Sequence, residues 1–86
     1  MLKIKYMETR DSWEEVNNRL IRTYYFKEDE NIVAFVNKVM TIASKQNHHP
    51  DIIIRNDSVK LSVADKEKGK VTEKCHKLAL SIDKLV

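Results

Sequence analysis

The apolar positions of the chain switch between a two-residue and a 3.6-residue period, and the switches mark its elements. Leu2, Ile4 and Tyr6 alternate with Lys3 and Lys5, the pattern of a half-buried strand. Thr9-Arg10-Asp11-Ser12 reads as a turn, and Trp13 as a core anchor. The polar stretch from Glu14 to Arg19 contains Asn17-Asn18, a pair that tolerates the positive φ of a hairpin turn. Leu20 to Phe26 is rich in β-branched and aromatic residues, with Leu20, Tyr24 and Phe26 on one face of a predicted strand. Arg22 shares that parity and must reach an edge, a partner or water. Lys27-Glu28-Asp29-Glu30 ends the strand, with Asp29 as helix N-cap and the acids at the positive end of the helix dipole.

From Glu30 to Gln46 the period becomes helical. Ile32, Phe35, Val36, Val39, Met40 and Ala43 form one stripe, widened by Ala34 and Ile42, while Asn37, Lys38, Thr41 and Lys45 lie opposite. Pro50 pushes the residue before it toward extended geometry, so the helix ends by Asn47–His49. Ile52-Ile53-Ile54 is a continuous β-branched run and predicts a strand covered on both faces. Asn56-Asp57-Ser58 turns the chain into Val59, Leu61 and Val63, the inward face of a second strand. Asp65–Lys70 is a charged loop holding the sole glycine, Gly69. Thr72 then N-caps a second helix with Cys75, Leu78, Ala79, Ile82 and Leu85 on its apolar stripe. Leu80, nearly opposite, marks a partner surface. The fold class is α+β: a four-stranded antiparallel sheet with helices packed on one face, in the order β-β-α-β-β-α.

Composition narrows this picture. Eighty-six residues make a single domain, 1–86, whose small core gains from self-association. No apolar run approaches the ~18–20 residues of a membrane span, and the N-terminus lacks a signal peptide's apolar segment. One cysteine, Cys75, excludes an internal disulfide and makes a cytoplasmic location the expectation. Net charge is +3, with six lysines (Lys60, Lys66, Lys68, Lys70, Lys74, Lys77) set against three acids between residues 60 and 77. That segment could meet phosphate, but it holds no aromatic residue on which a base could stack. A solvated lysine face is the plainer reading, and nucleic acid is not the expected partner.

The candidate chemistry lies in Gln46-Asn47-His48-His49-Pro50-Asp51, which carries two of the three histidines and the only proline at a helix-to-strand corner. Imidazole, with an ordinary pKa of ~6.5, gives and takes protons near neutrality. Two imidazoles on one rim suit a dehydration, one group protonating a departing hydroxyl while another takes a proton from the substrate. Adjacent side chains diverge in most backbones, so the pair alone is a weak signal. Zinc could be held by His48, His49, Cys75 and His76, but adjacent ligands converge poorly and Cys75 lies on an apolar stripe. His76 points away from that stripe and reads as a surface residue.

Taken together, these elements resemble the pterin-4a-carbinolamine dehydratases, which in animals also serve as dimerisation cofactors of a homeodomain transcription factor. Asn47-His48-His49-Pro50-Asp51 is similar to the family's signature. Trp13, the strand with Leu20, Tyr24 and Phe26, and the helix from Ala34-Phe35 to Ala43 match its pattern. So do Val59-x-Leu61-x-Val63, Val71-Thr72 and Leu78-Ala79-x-x-Ile82-Asp83. The resemblance implies removal of water from 4a-hydroxytetrahydrobiopterin to give the quinonoid dihydropterin, without a metal or organic cofactor. It implies a small-molecule pterin as substrate, a homodimer or homotetramer, and His48 and His49 as catalytic residues.

The family's third catalytic histidine, in a Thr-His-Asp/Glu stretch, falls on Lys66 within Asp65-Lys66-Glu67. Its usual hairpin aromatic falls on Asn56, its early-helix aspartate on Cys75, and the charged residue four positions before the first histidine on Ser44. A lysine ammonium is a donor and a cation at neutral pH, fit to stabilise a departing hydroxide rather than to act as a base. The expected function is therefore a 4a-hydroxytetrahydrobiopterin dehydratase with altered or slowed turnover. The alternatives are a catalytically silent family member acting as an oligomeric scaffold, and a binder of anionic ligands through Lys60–Lys77.

Overall fold

A computed structural model describes residues 12–86. The expected strand at Leu2–Tyr6 and most of the turn at Thr9–Ser12 lie outside the described residues. Six elements follow one another: β1 (Glu14–Val16), β2 (Arg19–Tyr25), α1 (Asp29–Gln46), β3 (Asp51–Ile54), β4 (Ser58–Val63) and α2 (Glu73–Asp83). The strands form one antiparallel sheet in the order β1-β2-β4-β3.

Asn17 and Asn18 join β1 to β2 with φ of 50° and 64°, the two positive values a two-residue hairpin turn of this hand requires. In β2 and β4 the alternation works as expected. Leu20 and Tyr24 pair with Val63 and Val59, and all four are buried. They join Ile32, Phe35 and Val39 of α1 and Cys75, Leu78, Ala79 and Ile82 of α2 in a single core. Phe35 is its centre, with ring centroids 4.8 Å from Tyr24 and 5.3 Å from Phe26. Phe26 lies one residue beyond β2 and anchors the chain by donating its N–H to the Asp57 carbonyl at 2.9 Å.

Arg22 finds the partner its position requires. Its Nη1 donates to Asp83 Oδ1 at 3.1 Å, and its guanidinium lies 4.6 Å from the centre of the Tyr24 ring. The same carboxylate oxygen accepts from Trp13 Nε1 at 2.9 Å and from the Tyr24 hydroxyl at 2.5 Å. Trp13 is thus a half-buried anchor tied to the end of α2.

Three expectations need correction, and a fourth holds with a different hydrogen bond. Asp29 is the first residue of α1 and Glu28 holds the N-cap position, with no side-chain capping bond. The acids still favour the positive helix end by charge alone. Met40 is 41% exposed, because four core-facing positions of α1 (Ile32, Phe35, Val39 and Ala43) already fill the space above the sheet. The run Ile52–Ile54 is not covered on both faces. β3 is the edge strand, and Ile53 and Ile54 are 46% and 56% exposed. Thr72 does stand at the N-cap of α2, but its side chain makes no capping bond. Its hydroxyl donates instead to Asp65 Oδ2 at 3.1 Å.

Candidate active site

The corner that carries the histidines is built by the end of α1. Asn47 adopts the left-handed conformation, φ 52° and ψ 42°. Its N–H donates to the Ser44 carbonyl at 3.2 Å, and the His48 N–H to the Ala43 carbonyl at 3.0 Å. These two bonds form a Schellman motif, which satisfies carbonyls the helix would leave unpaired. Asparagine reaches this conformation more readily than most residues, whereas a Cβ-bearing residue without its short polar side chain is strained there by roughly 1–2 kcal/mol. Asn47→Ala should therefore lower stability by about 1 kcal/mol and Asn47→Gly should restore it, as read from urea unfolding midpoints.

Pro50 is buried and leads directly into β3. Because Asp51 pairs with Ser62 in the β3–β4 register, the residues just before β3 lie beside those just after β4. His48 and Ala64 meet there. His48 Nε2 and the Ala64 carbonyl are 2.9 Å apart. A carbonyl can only accept, so Nε2 carries the proton and donates. The other ring nitrogen, Nδ1, is buried without a hydrogen-bond partner among the described residues. A buried polar atom left unpaired costs about 1–3 kcal/mol.

His49 is exposed. Both imidazoles line one open cleft of about 230 Å³, together with Asn47, Ala64, Asp65, Lys66, Glu67 and Lys74. The loop after β4 supplies the facing residues of the cleft, Ala64 to Glu67. Lys66 is brought to the cleft with His48 and His49. Cys75 and His76 are not: Cys75 is fully buried in the core and His76 is exposed on α2.

The loop from Asp65 to Lys70 is tightly organised. The Asp65 N–H donates to the Lys70 carbonyl at 3.0 Å, and its carbonyl accepts from Lys68 and Gly69 N–H at 3.2 and 2.7 Å. Gly69 supplies the positive φ, 67°, that the turn requires. The Asp65 carboxylate accepts from the N–H groups of Glu67 and Lys68 at 3.1 and 3.3 Å as well as from Thr72. Burial pushes its pKa up. The Thr72 hydroxyl, the Lys68 and Glu67 amides and the Lys74 charge outweigh burial and hold it below the usual value. The lowered value sets the sign of the pH dependence. The loop gains stability from ionised Asp65 above the ordinary carboxylate pKa of ~3.9, and loses it as pH falls through the depressed folded value. Amide exchange at Glu67 and Lys68 should accelerate only in that acid window, beyond its intrinsic pH dependence.

Asp65 and Lys74 were absent from the expected site. A signal for Asp65 existed: an aspartate four residues before a lone glycine suits a turn closed by its own side chain. Nothing in the local pattern brings Lys74, at the start of α2, to the histidines.

A family model described as "Pterin 4 alpha carbinolamine dehydratase" matches residues 3–85. A protein of Thermomicrobium roseum named "Putative pterin-4-alpha-carbinolamine dehydratase" is 41% identical over 73 residues, which span 85% of this chain and 78% of that protein. One of the same name from Sulfolobus acidocaldarius is 37% identical over 75 residues, 87% of this chain and 82% of its own length. A crystal structure of a "transcriptional coactivator/pterin dehydratase" from Brucella melitensis matches with a TM-score of 0.83 at 25% identity, covering 87% of this chain and 82% of that one. A pterin dehydratase-like protein described as a RuBisCO assembly factor in the alpha-carboxysome shares the fold, with a TM-score of 0.75 at 19% identity over 88% of this chain and 90% of its own.

Proposed function

Because the chain belongs to the pterin-4a-carbinolamine dehydratase family, we propose that it dehydrates a 4a-hydroxytetrahydropterin in the cleft between the end of α1 and the loop after β4. The reading rests on one observation: His48, His49 and Lys66 line the same cleft. In the reaction the bond from C4a to the hydroxyl oxygen breaks, and that oxygen takes up one proton and leaves as water. The ring gives up one N–H proton, and the product is the quinonoid dihydropterin.

His49, exposed at the cleft, is the group placed to trade protons with substrate and solvent. His48 has its Nε2 proton committed to Ala64, which leaves its lone pair on the buried Nδ1, so it accepts a proton only when the ring turns toward substrate in the cleft. Lys66 takes the third position as a donor and cation, suited to stabilise the oxygen as it departs. No step requires a metal or organic cofactor.

The substrate is a small-molecule pterin, and 4a-hydroxytetrahydrobiopterin is the expected one. The free, buried thiol of Cys75 suits a reducing cytoplasm. Among the described residues no helix is long and apolar enough to cross a membrane. A homodimer or homotetramer is supported by the exposed edge residues Ile53 and Ile54 and by Leu80, 64% exposed on α2. Freshly generated 4a-hydroxytetrahydropterin, followed by stopped assay against its uncatalysed dehydration, tests the reading. Saturable acceleration is the expected result. A stable oligomer that leaves the uncatalysed rate unchanged would instead identify a silent scaffold.

A further inference from the structure

We propose that Asp65 is a positioning residue for His48: it clamps the peptide between Ala64 and itself so that the Ala64 carbonyl fixes which imidazole nitrogen carries the proton. The catalytic consequence of the clamp rests on the dehydratase reading above; the clamp itself does not.

The geometry runs through one peptide plane. In a trans peptide the C=O and the N–H point in opposite directions. The Asp65 N–H is bonded to the Lys70 carbonyl at 3.0 Å, so the Ala64 carbonyl is aimed the other way, where it meets His48 Nε2 at 2.9 Å. The plane cannot rotate without giving up both bonds. What keeps Lys70 in place is the turn between, and Asp65 closes that turn with every polar group it has. Its carbonyl accepts from Lys68 and Gly69, one carboxylate oxygen from Glu67 and Lys68, and the other from Thr72. Only 9% of Asp65 is exposed, so water competes weakly for these bonds. Lys66, next in the chain, is held at the cleft by the same turn.

With Nε2 committed to Ala64, the lone pair lies on Nδ1, and the tautomer of His48 is set by a residue that need not touch substrate. A carboxylate acting through charge and one acting through hydrogen bonds make different predictions. In Asp65→Asn the amide oxygen can still accept from Glu67 and Lys68, and the amide NH₂ can donate to the Thr72 oxygen. That variant keeps the clamp and loses the charge. Asp65→Ala loses the charge and every side-chain bond of the clamp, keeping only the backbone ones.

The experiment pairs nitrogen-15 NMR of the His48 ring with dehydration kinetics. The wild type and Asp65→Asn should show His48 protonated on Nε2 alone. Asp65→Ala should show averaging between the two ring nitrogens. Its kcat should fall by roughly tenfold with a smaller change in KM, since misplacing a reacting group acts on the chemical step. Asp65→Asn should stay within about twofold of the wild type, a margin of ~0.4 kcal/mol in barrier.

If Asp65→Ala does not fold, Thr72→Val removes the donor to one carboxylate oxygen, together with a weak contact to Cys75 Sγ, and should give the same averaging in smaller degree. An unchanged tautomer in the alanine variant, or in Thr72→Val where the alanine variant does not fold, overturns the proposal. So does a loss in Asp65→Asn equal to that in Asp65→Ala. If the wild type shows no turnover, the tautomer readout alone decides the clamp, and the dehydratase reading fails separately.

Discussion

Replacing His48 and His49 together by alanine should bring pterin dehydration down to its uncatalysed rate, a loss of about 10²–10⁴-fold, the usual contribution of general acid–base catalysis. On the proposed mechanism the two imidazoles serve one elimination from one cleft, so the single variants should not add. His49→Ala removes an exposed ring that makes no hydrogen bond within the described residues. It should therefore slow turnover while leaving stability within about 0.5 kcal/mol of the parent, as surface changes do. His48→Ala also leaves the Ala64 carbonyl without its donor and should cost about 1 kcal/mol of stability besides activity. Lys66→His restores a third imidazole at the cleft and should raise kcat. Turnover in the double alanine variant equal to that of the wild type would remove the histidines from the mechanism.

How much of this was legible in the sequence differs from element to element, for physical reasons. α1 and the β3–β4 hairpin were readable because their periods are local properties of the chain. The Asn17-Asn18 turn was readable because few residues accept two successive positive φ values. The fate of Ile52–Ile54 was not. A β-branched run states that a strand forms, but whether it is central or at an edge depends on the order β1-β2-β4-β3, which is set by long-range pairing. The site divides the same way. His48 and His49 stood out as a pair at a forced helix end, and their meeting with Lys66 followed from the family resemblance. The Ala64 carbonyl had no sequence signal at all, because a backbone acceptor looks the same at every residue. Asp65 was hidden in a run of charges that reads as solvated, although its side chain is among the few buried polar groups described.

Arg22 was the one position in β2 whose parity conflicted with its chemistry, and its solution carries the largest expected stability effect. Asp83 lies at the C-terminus of α2, where the helix dipole disfavours a negative charge. It is kept there by three donors on a single oxygen: Trp13 Nε1, Arg22 Nη1 and the Tyr24 hydroxyl. Removing it leaves a guanidinium only 12% exposed without its counter-ion, and takes away the carboxylate acceptor of the Trp13 and Tyr24 hydrogen bonds. Breaking a fully buried pair costs ~3–5 kcal/mol. Asp83 itself is one-third exposed, so Asp83→Ala should cost about 2–4 kcal/mol. In a domain of this size each kcal/mol lowers Tm by about 4–8 °C, and the variant should melt about 8–30 °C below the parent. Asp83→Asn, which retains an acceptor but no charge, should fall between. Adding Arg22→Met to Asp83→Ala should recover part of the loss, because an apolar side chain no longer strands a charge under the helix. Thermal unfolding followed by the fluorescence of Trp13 reads both the midpoint and the indole's loss of its acceptor. If the two substitutions instead add to within about 0.5 kcal/mol, Arg22 and Asp83 are not energetically coupled, and the buried arginine must be accounted for by its stacking on Tyr24.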